Sequence, residues 1–338
     1  MRKVFWVCFI ALFVACNAPN KQINQELSDS IIHTVESVEE VVLPQYVDSA
    51  DYFQRLHALA NGDTLFWPVV NQPVPLAGAI LPYKRIIAYY GNLYSKKMGA
   101  LGEFPPEELW EKLLAEKTAW EEADPQTPVQ TALHYIYTVA DRLPKKDSVY
   151  MTRMPFTQVD SVLSIAAMHD AIVFLDIQVG KSSYQRELPL LEKYLKMPHV
   201  HLGIDPEFSM KSGGVPGKRI GNVDAKDVNF CANYLKNLVI EHQLPPKILV
   251  VHRFTKPMVT NYEKIQLHPE VQTVIHMDGW GGPELKKSTY RLIAYKEPVQ
   301  FTGFKIFYKN DVKNPPHRLL TPTELMELKP QPIYIQYQ

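Results

Sequence analysis

The segment His199–Phe208, HVHLGIDPEF, ends an apolar alternation in two carboxylates, Asp205 and Glu207. Read as a strand, it puts residues i and i+2 on one face, so both carboxyls point the same way, about 7 Å apart along the chain. Pro206 lacks the N–H that a ladder needs and marks the end of the strand. Other runs finish in polar groups as well. AIVFLDIQ ends in Asp176 and Gln178, and TVIHMDG carries His276 and Asp278, with Trp280 two residues further on. KILVVHRF carries His252 and Phe254, GFKIFY carries Lys305, and RIIAYYG ends in Tyr89, Tyr90 and Gly91. Several carboxyls in one place suit hydrolysis, in which one acid protonates a leaving group and another serves as base or nucleophile.

Eight short runs rich in β-branched and aromatic residues must position these groups: Arg85–Gly91, Ala132–Ala140, Ala171–Gln178, Val200–Glu207, Lys247–Phe254, Thr273–Gly279, Gly303–Tyr308 and Ile333–Tyr337. Their starts lie roughly 25 to 50 residues apart, which leaves room for helical crossovers and parallel pairing. Pro105-Pro106-Glu107-Glu108 opens one such helix, and Gln185–Leu195 places Leu188, Leu191 and Leu195 on a common face. Asp224 reads as the N-cap of a helix over Asp224–Val239, and Thr321-Pro322-Thr323-Glu324 starts another. Eight strands alternating with helices predict an α/β chain of the (β/α)8, or TIM barrel, class. A doubly wound open sheet competes, but no glycine-rich phosphate turn follows the first strand.

Alternation gives the direction of the side chains. Val200, Leu202 and Ile204 suit a helix layer, leaving His201, Gly203, Asp205 and Glu207 for the barrel axis. Val173, Leu175 and Ile177 likewise stand opposite Asp176 and Gln178. A charge at the axis is costly unless it is paired or functional. His199 and His201 lie near the start of their strand, away from the acids, and read as structural.

The chain divides as 1–15, a signal peptide; 16–60, a lipidated cysteine and polar tether; and 61–338, the barrel. Arg2 and Lys3 precede the apolar run Val4–Val14, which is short for a membrane span, and Phe13-Val14-Ala15-Cys16 resembles a bacterial lipobox. That resemblance implies lipid on Cys16 and a place in the cell envelope, anchored to a bacterial membrane and facing periplasm or exterior. Of three cysteines only Cys231 then remains in the folded part, so no disulfide framework and no cysteine metal site is available. With 36 basic and 36 acidic residues the net charge is zero, which argues against nucleic acid as a partner.

Ile204-Asp205-Pro206-Glu207 resembles the Asp-x-Glu strand-end motif of chitinase-like and bacterial muramidase-like barrels, and Tyr334-Ile335-Gln336-Tyr337 is similar to the last strand of the latter. The resemblance implies a glycosidase-like barrel with Glu207 as the acid; it picks out no single family. The candidate catalytic set is Glu207, Asp205, Asp176 and Asp278. The candidate substrate-binding set is Gln178, His252, Lys305, Tyr90, Trp280 and Phe208, with a glycan or other small polar molecule as substrate. No cofactor is called for. A metal-dependent or phosphodiester hydrolase, built on His252, His276, Asp176 and Asp278, is the first alternative. A glycan-binding surface lipoprotein without catalysis is the second.

Overall fold

Eight parallel strands close on themselves: β1 (Arg85–Gly91), β2 (Val129–Ala140), β3 (Ile172–Ile177), β4 (Val200–Ile204), β5 (Lys247–Arg253), β6 (Val271–Met277), β7 (Phe301–Ile306) and β8 (Tyr334–Tyr337). Each pairs with the next in chain order, and β8 pairs with β1 to complete the ring. This is the (β/α)8 barrel expected from the sequence, with strand ends within three residues of their expected positions. The computed structural model describes residues 45–338, so the expectations for the apolar leader and for Cys16 lie outside the described residues. No helix among the described residues is long and apolar enough to cross a membrane.

The strands form because nearly every position in them is buried, on one face by helices and on the other by the barrel interior. One core lies between strands and helices and includes Leu133, Val173, Leu175, Leu202, Val251 and Ile335. A second, inside the barrel, holds Ile86, Ala88, Ile172, Phe174, Ile248, Val250, Val274 and Phe301. The parity inferred for β3 and β4 therefore holds. Burying one such side chain contributes about 1.5–3 kcal/mol.

Helix α1 (Ser49–Leu59) covers the inner core, contributing Tyr52 and Leu56 to it. These residues were expected in the tether, yet Asp48 accepts hydrogen bonds from the amides of Ala50 and Asp51 and starts a helix with one apolar face. The crossovers include α2 (Pro106–Ala123), α3 (Phe156–Ala167), α4 (Ala225–His242), α5 (Pro283–Tyr290) and α6 (Pro322–Met326). Asp224 and Asp227 form a capping box on α4, and Thr321 and Glu324 form another on α6. The helix expected over Gln185–Leu195 is broken into three short turns, since Pro189 cannot donate to a continuous ladder. Cys231 is fully buried in α4, as a small apolar residue would be.

The end of β4 departs from expectation. The strand stops at Ile204, and Asp205 and Glu207 do not share a strand face. Asp205 instead caps a tight turn, Pro206–Phe208, its Oδ1 accepting the Glu207 amide at 3.1 Å. Pro206 ends the ladder one residue after Asp205, and the turn carries Glu207 outward.

Candidate active site

The C-terminal strand ends gather most of the expected polar residues. Asp176 of β3 is fully buried; its Oδ2 accepts a hydrogen bond from the Tyr90 hydroxyl at 3.0 Å. Its Oδ1 faces His134 Nε2 at 3.3 Å and His252 Nε2 at 3.5 Å. The His252 ring continues to Asp278, with Nδ1 and Oδ2 2.7 Å apart. Lys305 of β7 pairs with the other oxygen of Asp278 at 3.0 Å and lies 3.8 Å over the Tyr90 ring. Gln178 donates to Asp205 Oδ2 at 3.3 Å and is itself anchored by the Ala140 amide at 2.9 Å.

These contacts separate the acids electrostatically. Burial opposes ionisation of Asp176, but His252 and His134 outweigh it and hold the carboxyl well below the usual range. Burial likewise opposes ionisation of Asp278, and there Lys305 and then His252 prevail. Burial works against a charged His252, yet Asp176 and Asp278 raise it to about 10. His134 goes the other way, with burial lowering it to about 4 against the pull of Asp176. Burial also holds His276 far below the ordinary histidine range. Asp205 has Gln178 and a backbone amide as partners, and burial, which the pull of His252 does not offset, pushes it well above the carboxylate range. Glu207 is pushed up to about 7, by burial first and by the Asp278 carboxylate second.

Only two of the four candidate acids reach open space. A cavity of about 320 Å³ is lined by Glu207, Asp278, Phe254, Trp280, Leu285 and Phe307. Asp176 and Asp205 lie behind it, fully buried. A larger cavity of about 400 Å³ lies by α1, at the other strand ends, but its acids are already paired, Asp51 with Arg55 and Asp124 with Arg85. Barrel enzymes keep their chemistry at the C-terminal face, and the smaller cavity is the one at that face.

The expected binding residues divide in the same way. Trp280 is 55% exposed and walls the cavity. Gln178, His252, Lys305 and Tyr90 are buried supports for the carboxylates and do not line it. Phe208 is half-buried in its turn and also off the cavity, where Phe254 and Phe307 stand instead. Tyr89 faces the helix layer, its hydroxyl 3.1 Å from that of Tyr308. His201 is structural as expected, Nδ1 accepting the Ile248 amide at 3.1 Å.

Two contributors are additional to the expected set. His134 comes from the middle of β2, and Tyr334 from β8 places its hydroxyl 2.6 Å from His134 Nδ1. Both have inward parity, the one signal that could have found them. Among the described residues, His134, Asp176 and His252 each offer a ligand atom within 4.8 Å of the others, a group that shares Asp176 and His252 with the expected four. A buried clamp fixes the cavity wall. Asp311 accepts the amides of Gly281 and Phe307, each at 2.9 Å, and pairs with Lys286 of α5, which also donates to the Lys305 carbonyl. No family model matches this chain, and no curated protein matches it.

Proposed function

We propose that this protein is a glycoside-hydrolase-like enzyme of the bacterial cell envelope, held to the membrane by lipid on Cys16, that cleaves a glycan by general acid–base catalysis. One observation carries the reading: Glu207 and Asp278 line the same aromatic-walled cavity while their surroundings push their charge states apart. Acid and base roles follow from such divergence. Glu207, half-buried and beside a carboxylate, keeps its proton near neutral pH and donates it to the glycosidic oxygen as the C–O bond breaks. Asp278, paired with Lys305, remains ionised, faces the positive charge developing on the sugar, and serves as base or nucleophile. Trp280, Phe254 and Phe307 offer apolar faces to the ring. Asp176, His252 and Lys305 keep Asp278 in place, while Asp205 and Gln178 support the turn that carries Glu207.

The test is release of reducing ends from a panel of glycans by the full-length chain and by Glu207→Gln. Turnover should fall by roughly 10²-fold or more while glycan binding persists. An aryl leaving group that needs no protonation should restore much of the loss, because only the acid has been removed. Undiminished turnover in the variant would refute the assignment. Glycan binding by the wild type without any release of reducing ends would replace it with a purely binding role.

A further inference from the structure

Three atoms deep in the barrel converge without a hydrogen-bond partner: Nε2 of His134 on β2, Oδ1 of Asp176 on β3 and Nε2 of His252 on β5. All three side chains are fully buried. The atoms lie within 4.8 Å of one another, with Oδ1 3.3 Å from one nitrogen and 3.5 Å from the other. Those separations are long for charge-assisted hydrogen bonds, which run at about 2.7–2.9 Å. Unsatisfied polar atoms in a dry interior cost about 1–3 kcal/mol each, so three together call for an occupant.

The remote atom of each side chain is already held. His252 Nδ1 is 2.7 Å from Asp278, His134 Nδ1 is 2.6 Å from the Tyr334 hydroxyl, and Asp176 Oδ2 accepts from Tyr90 at 3.0 Å. Histidines that bind metals have this form, with the far nitrogen tied and the near one aimed inward; Gln336 Nε2 also lies 3.1 Å from His134 Nδ1, and the ion would take the place of the proton that His252 otherwise holds on Nε2. The two carboxylate–imidazole separations, 3.3 and 3.5 Å, match the roughly 3.4 Å that a tetrahedral ion about 2.1 Å from each donor sets between its ligands. Gly203 keeps the place open: a Cβ there would stand 2.4 Å from both Asp176 Oδ1 and His134 Nε2.

We propose that His134, Asp176 and His252 bind a divalent transition-metal ion of the zinc class inside the barrel, with its remaining position on the side of Gly203. Two imidazoles and one carboxylate suit zinc better than magnesium or calcium, which prefer oxygen ligands. None of the three ligands lines the cavity, so the ion ties β2, β3 and β5 together and aims His252 at Asp278 without touching substrate. This does not depend on the hydrolase reading.

The test measures metal directly. Untagged full-length chain is unfolded with a chelator, refolded with Zn²⁺ or Co²⁺, desalted and assayed by elemental mass spectrometry. About one equivalent should be retained, and the Co²⁺ form should show the visible bands of a tetrahedral nitrogen–oxygen site. Asp176→Asn and His252→Gln should each retain at least tenfold less. If those variants do not fold, the wild type alone decides. Failure of both its isolated and its refolded forms to retain the ion overturns the proposal. So does retention through thiolate, seen as a near-ultraviolet charge-transfer band, or undiminished retention by a folded variant.

Discussion

Replacing Glu207 by glutamine should stabilise the fold at alkaline pH and do little at acid pH. The half-buried carboxyl is pushed up to about 7, against an ordinary 4.5. Between those values the folded chain keeps a proton that the unfolded chain has released. The stability present below 4.5 is therefore lost as pH rises through about 7. At about 1.4 kcal/mol per pH unit, the wild type forgoes about 3 kcal/mol at pH 8 and under about 1 kcal/mol at pH 5. Glutamine has no proton to lose and escapes this penalty. The charged and titratable groups facing Glu207 are Asp278 after β6, Lys305 on β7, His252 on β5 and Asp205 on its own turn. All are shared by the two chains; the Glu207 charge also pushes Asp205 up, so its removal relieves Asp205 at alkaline pH and adds to the gain in the same direction. Urea unfolding of wild type and variant at several pH values would measure the difference. A gain that is flat from pH 5 to pH 8, or one that shrinks with rising pH, would refute the description of Glu207 as a buried acid. On the proposed assignment the variant is more stable and less active, as expected when an active-site group is held against its solvation.

Gly203→Ala should cost about 1–3 kcal/mol, read as a lower urea midpoint, because its methyl would crowd Asp176 and His134; an unchanged midpoint would show that the interior yields. Lys286→Met should cost about 3–5 kcal/mol by leaving Asp311 buried and unpaired, and adding Asp311→Leu should recover part of it in the same assay. Trp280→Ala should leave stability within about 0.5 kcal/mol, since the ring is largely exposed. On the proposed glycosidase reading it should raise KM for the cleaved glycan about tenfold, equivalent to about 1.4 kcal/mol of lost contact. An unchanged KM would remove Trp280 from the binding wall.

The barrel was legible because both faces of its strands are buried, which writes eight continuous β-branched and aromatic runs into the chain. Strand parity carried further, since Asp176, His252, Asp278 and Lys305 all have inward parity and all meet. It failed where it was carried past Pro206, because a carboxylate able to cap a turn competes with the strand for the next amides. His134 is not legible as a site residue because it stands mid-strand, where a polar residue reads as an interruption rather than a terminus. Which acids face solvent depends on groups distant in sequence. Tyr90 and His252 flank Asp176, and Gln178 lies against Asp205, so only Glu207 and Asp278 line the cavity. Helix α1 was hidden for a similar reason, because its apolar face has no neighbour in sequence and finds its partner on the barrel.

That helix behaves as a ligand carried on its own receptor. Residues 60–84 join α1 to β1 and are themselves pinned, with Leu81 in the inner core and bonded to Gln272, so docking of Tyr52 and Leu56 is intramolecular, at an effective concentration set by that ordered connection. A separate peptide with the α1 sequence must exceed that concentration to compete. A chain deprived of the helix would present Ile86, Phe174, Ile248 and Phe301 at an uncovered barrel base, the kind of apolar surface through which copies of a protein associate.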